Sequence, residues 1–116
     1  MIKHYFNILE ALGSAKKINL KEVYPHHFIY TYFYNNVEIW AFISYSKLIC
    51  LYAPTLCQIA IDNNNWDCSK TTCKYFAKFI NEYTYLDYDN KYQFMGLLMN
   101  PKAHNIEIYE TVRWHH

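Results

Sequence analysis

Lys70, Lys74 and Lys78 form the plainest charge pattern in the sequence. A spacing of four puts all three on one helical face, where like charges repel by roughly a few tenths of a kcal/mol. Such a stripe reads either as a solvated face or as a docking face for phosphates or an acidic protein surface. Tyr30, Tyr32 and Tyr34 form a second pattern, alternating through an aromatic run. Tyrosine joins a large apolar area to one polar tip, which suits protein contact and also stacking against single-stranded nucleic acid. These six residues are the candidate partner-binding residues.

Four cysteines, at 50, 57, 68 and 73, and six histidines raise metal binding and nucleophilic catalysis. Cys50 and Cys57 are seven apart and Cys68 and Cys73 five apart, and neither pair has the close spacing of structural zinc sites. His26-His27 and His115-His116 are adjacent pairs that read as surface imidazoles. Cys50 and Cys57 lie in apolar runs and read as small core residues with free thiols. Cys68 precedes a predicted helix, whose dipole favours a thiolate, but no neighbouring signature supplies a base. Two glycines leave no phosphate-binding loop. Asp87 and Asp89 read as turn and capping carboxylates. The expectation is a protein with no catalytic residue, no metal and no cofactor.

The elements that carry these residues follow from periodicity. Ile2, Tyr5, Phe6, Leu9 and Leu12 recur at helical spacing, and Gly13 ends that helix over residues 2–12. Residues 14–25 read as a polar connector anchored by Ile18, Leu20 and Val23. Residues 27–34 and 37–44 read as strands joined by Asn35-Asn36, a pair that tolerates the positive φ of a tight hairpin. Residues 47–52 and 56–61 read as two more strands. Ser69 or Thr71 caps a helix over residues 70–83, whose buried stripe is Cys73, Phe76, Ala77, Ile80 and Tyr83. Asp89 caps a short helix through Met99, Asn100-Pro101 ends it, and residues 105–112 read as a last strand.

This order, α-β-β-β-β-α-α-β, predicts one α+β domain over residues 1–116. Short connections favour an antiparallel sheet of four to five strands, with helices packed on one face. The strands are apolar on both sides, so the uncovered face predicts a homodimer or a partner. A net charge of +1 lacks the basic excess usual for nucleic-acid binders. No signal peptide and no long apolar run is visible, so the expected location is cytoplasmic, without membrane contact.

Ser44-Tyr45, Leu48-Ile49-Cys50, the run Ser69-x-Thr71-Thr72-x-Lys74-Tyr75 and Phe79-Ile80 carry a resemblance. In these residues the chain resembles small accessory proteins from phages of low-GC Gram-positive bacteria. Their pattern has a histidine where Tyr75 stands. The resemblance implies a phage or prophage origin and a host cytoplasmic setting, and it implies no reaction. It leads to an expected function as a phage accessory protein of the anti-CRISPR kind, which binds and stoichiometrically inhibits a host defence protein, a CRISPR-Cas nuclease first among the target classes. A nucleic-acid-binding module using the lysines and tyrosines is the alternative. A small Cys/His enzyme, using Cys68 or a histidine, is the third reading.

Overall fold

Three tight turns set the architecture, each with left-handed backbone. His26 (φ 63°), Asn35 and Asn36 (φ 47° and 65°), and Tyr45 and Ser46 (φ 48° and 69°) reverse the chain in succession. They join β1 (Lys16–Tyr24), β2 (His27–Tyr34), β3 (Val37–Ser44) and β4 (Lys47–Ala53) into an antiparallel meander. Asparagine enters this region at little cost. Tyr45 does not, so its conformation is held by what surrounds it. The structure, a computed structural model, describes residues 8–110.

β5 (Gln58–Asp62) extends the meander, and α2 (Lys70–Tyr83) and α3 (Lys91–Leu98) then lead to β6 (Ile106–Tyr109). The sheet has six strands in chain order, with β1 and β6 at its edges. β6 runs parallel to β5. The two intervening helices give the chain the length that a parallel return requires.

Several expectations change here. The polar connector is β1, a nine-residue strand. Bulges between Lys17 and Asn19 and between Glu22 and Tyr24 break its alternation, which hid it in the sequence. The sheet is mixed and six-stranded, rather than antiparallel with four to five strands. Helices also lie on both faces, not one. α1 (Ile8–Leu12) buries Ile8 and Ala11 against Ile39, Ala41, Leu51, Ala53 and Ala60. α2 and α3 bury Phe76, Phe79, Ile80 and Phe94 on the other face, against Phe42, Ile59 and Ile61. β3 and β4 are apolar on both sides, so each side needs cover. The rest of the predicted first helix, residues 2–7, and the end of the predicted last strand, residues 111 and 112, lie outside the described residues.

The α2 face holds the aromatic core. Phe42 and Phe79 stack at 4.5 Å between ring centroids, and Trp66, Phe76 and Phe94 pack beside them. Ser69 caps α2 by accepting the Thr72 N–H at 3.0 Å. Asn90, rather than Asp89, caps α3, accepting the N–H groups of Tyr92 and Gln93. Its side chain reaches two of the orphan donors of the first turn.

Candidate functional site

The β2–β3 hairpin pairs His27 with Ser44, and α2 lies above that pair. His27 is fully buried and Ser44 is 1% exposed, so neither imidazole nor hydroxyl can lack a partner cheaply. The imidazole Nδ1 lies 2.7 Å from the Pro25 carbonyl oxygen. That oxygen only accepts, so Nδ1 carries a proton, and in that tautomer Nε2 is the acceptor. Ser44 then donates to Nε2 across 2.8 Å. Its oxygen accepts from Thr72 Oγ1 at 3.1 Å, and Thr72 Oγ1 accepts from Ser69 Oγ at 3.1 Å. Every donor in this relay points one way, from the α2 cap to the Pro25 carbonyl. A network satisfied throughout rigidifies the groups around it.

A serine hydroxyl 2.8 Å from an imidazole has the spacing of a nucleophile and its base. Here Phe42, Tyr45 and Tyr75 pack around the ring, at 5.7, 5.6 and 4.5 Å between centroids. The Ser44 oxygen is engaged by Nε2 on one side and by Thr72 on the other. The arrangement is a strut joining two strands to a helix.

The strut supports an aromatic and cationic surface. Tyr24, the last residue of β1, stacks on Tyr75 of α2 at 5.1 Å. The Lys78 Nζ lies 5.9 Å from the Tyr24 ring and 5.7 Å from the Tyr75 ring, and the Lys74 Nζ lies 5.3 Å from Tyr75. These are cation–π distances. Beside them His26 and Tyr45, both left-handed, stack at 5.0 Å, and the Tyr45 N–H donates to the His26 carbonyl. That contact ties two turn tips together and holds Tyr45 54% exposed. Tyr24 donates to Glu82 at 3.0 Å. Its partial burial and the Glu82 carboxylate both push the phenol up, so it stays protonated.

The predicted site residues divide between the two faces. Lys70, Lys74 and Lys78 are exposed on α2. Lys70 also lines a cleft of about 410 Å³ between the starts of α2 and α3, whose walls include Lys74, Lys91, Asp67 and Asp89. Tyr30, Tyr32 and Tyr34 are half-buried on the opposite face, packed with the α1 cluster. Lys17 lies 4.1 Å over the Tyr30 ring. The tyrosines beside the α2 lysines are Tyr24 and Tyr75, which sequence reasoning passed over. Tyr75 was findable, since it lies three residues before Lys78 on the same helix.

The remaining chemistry-bearing residues are placed as follows. Cys50 is a core thiol, and burial pushes it well above its usual range. Cys57 is exposed at φ 48°, ending a 3₁₀ turn rather than lying in a strand, because Pro54 starts that turn and β5 begins one residue later. Cys68 is exposed ahead of the Ser69 cap. Burial and Asp67 raise the half-buried Cys73 thiol, against Lys91. His27 is the opposite of a surface imidazole, because strand alternation turns it inward while His26 stays at the turn. Among the described residues no three of His, Cys, Asp or Glu converge as metal ligands, and no helix is long and apolar enough to cross a membrane. His115 and His116 lie outside the described residues.

Two sequence segments meet at this site. Ser44-Tyr45 and Ser69 to Tyr75 are far apart in the chain, yet Ser44 bonds Thr72, and Tyr45 and Tyr75 both flank His27. Comparisons with protein-family models, curated proteins and solved structures find no match for the chain.

Proposed function

We propose that this chain is a small phage accessory protein that binds a host protein and inhibits it stoichiometrically, with a CRISPR-Cas nuclease as the leading target class. The observation that carries a binding role is the surface of Tyr24, Tyr45 and Tyr75 with Lys74 and Lys78, fixed from below by the His27 relay. Rigid tyrosines lose little entropy on binding, and aromatic anchors beside cations dominate binding energies at protein interfaces. The phage origin rests on the resemblance in Ser44-Tyr45, Leu48-Ile49-Cys50, Ser69 to Tyr75 and Phe79-Ile80, and the target class on that resemblance together with the lack of a catalytic motif in the sequence. A nuclease groove that holds nucleic acid is basic, so the lysines suit an acidic face beside it rather than the groove itself. Tyr30, Tyr32 and Tyr34 offer a second contact area, for a wrapped partner or for a homodimer.

The nucleic-acid alternative keeps one specific support, because stacked Tyr24 and Tyr75 under Lys78 resemble a base-stacking platform. Binding of that kind falls steeply with salt.

The reading is tested in a host with an active defence nuclease, challenged with a targeted phage. Expression of the protein is expected to restore plating in proportion to its level. Unchanged plating against every defence nuclease tested would overturn it.

A further inference from the structure

We infer that the exposed edge of β1 is the docking site for an extended, acidic segment of the partner, which adds to the sheet as a seventh strand. This deepens the protein-binding reading and rests on it. β1 is nine residues long, and its first seven are exposed. Ile18 and Leu20 stand 53% and 47% exposed along it. An edge strand directs alternate N–H and C=O groups away from its neighbour. At Leu20 that outward N–H is visible, because it is held at 2.8 Å by the side-chain oxygen of Asn19 and not by β2. An incoming carbonyl would replace that local cover. From Asn19 to Glu22 the pairing with β2 is regular, so Leu20 and Glu22 present their backbone groups at strand spacing between the two bulges.

Charge selects the occupant. β1 carries Lys16, Lys17 and Lys21 against Glu22, and α2 carries Lys70, Lys74 and Lys78 against Glu82. Two elements thus hold six of the eleven basic residues and two of the ten acidic ones. The near-neutral whole conceals a basic side. Lysines and bulges on an edge oppose pairing with another copy of the same strand, and they do not oppose an acidic strand. β1 also borders both faces. Lys17 at its start lies over Tyr30 on the α1 face, and Tyr24 at its end stacks under Lys78 on the α2 face. A strand laid along β1 therefore meets both sets of predicted site residues, which the sheet otherwise separates. A polyanionic nucleic acid would use the lysines and leave the outward backbone groups of β1 unmatched.

The probe is a short fluorescent peptide alternating glutamate and valine, with a lysine–valine peptide and a single-stranded oligonucleotide as comparisons. The full-length protein is expected to bind the acidic peptide and to gain amide-exchange protection at Leu20 and Glu22. Lys17→Glu with Lys21→Glu is expected to weaken it by about tenfold or more. Leu20→Pro, which removes the outward donor, is expected to abolish the new protection while circular dichroism stays native. Equal binding of the basic peptide, tighter binding of the oligonucleotide, protection elsewhere than β1, or a dimer in light scattering that buries β1 would each overturn the proposal. The two readings also fail separately. Nuclease inhibition that survives the double Lys→Glu variant removes the edge site and leaves inhibition standing. Acidic-peptide binding at β1 by a protein that inhibits no nuclease does the reverse.

Discussion

His27→Ala is expected to lower the unfolding free energy by roughly 3–5 kcal/mol, among the largest losses available to one substitution in this chain. The imidazole is fully buried, touches the rings of Phe42, Tyr45 and Tyr75, and accepts the Ser44 hydroxyl. Its removal leaves a cavity and also orphans one end of the relay. At about 4 °C per kcal/mol for a domain of this size, the melting temperature should fall by roughly 12–20 °C. Ser44→Ala, which unpairs only Nε2 and Thr72 Oγ1, should cost about 1–3 kcal/mol. Thr72→Val keeps the volume and the backbone N–H bond to Ser69, and should cost less still. Urea titration measures this order. A serine variant that loses more stability than the histidine variant would show that the relay is not built as described. A Ser44→Ala protein that folds and loses all function would move the pair from strut to chemistry.

The second large effect concerns association. Lys70→Glu, Lys74→Glu and Lys78→Glu together reverse the charge of an exposed helix face. Binding to the proposed partner should then slow by roughly 10- to 100-fold at low salt, with the gap closing as salt is added. The three positions are not equivalent. Lys70 lines the mixed-sign cleft, away from the Tyr24 and Tyr75 rings that Lys74 and Lys78 lie over, and should act by steering alone. Lys74 and Lys78 lie over Tyr24 and Tyr75, so reversing them also removes cations from the aromatic surface and should speed dissociation. Stopped-flow association with each single variant separates these contributions. Wild-type kinetics for the triple variant would return the stripe to an ordinary solvated face and leave inhibition itself untouched.

Much of this site was legible in the sequence, though not its assembly. Asn35-Asn36 announces a two-residue hairpin, and such a turn fixes the register residue by residue. Counting outward from it pairs Tyr34 with Val37 and, seven steps later, His27 with Ser44. His26 stays exposed at the turn, and alternation within the strand turns His27 toward the Ile29 side. The residues were visible singly, and the register joins them. Helix α2 was legible because Ser69 and its apolar stripe agree on one element.

Other features had no signal to read. β1 is an edge strand whose bulges scramble the period of two and whose side chains mostly face solvent, so it shows no apolar face. The parallel direction of β6 is set by the route of α2 and α3, and alternation carries no direction. Nothing in the local pattern of Ile8 to Leu12 says which face of the sheet it will cover. The Tyr45-Ser46 turn lacks the glycine or asparagine that marks left-handed backbone. It is held by the His26 stack and by the hydrogen bond to the His26 carbonyl.

The most direct test of the central claim is a titration of purified target nuclease with this protein at concentrations far above the dissociation constant. A protein that acts by covering a surface should remove activity linearly with molar ratio and stop at a sharp integer equivalence, and dilution should restore the nuclease unaltered. Complete loss of nuclease activity at a small fraction of one equivalent, with the nuclease chemically changed afterwards, would contradict the account and give the protein a turnover that a sealed Ser44–His27 strut does not provide.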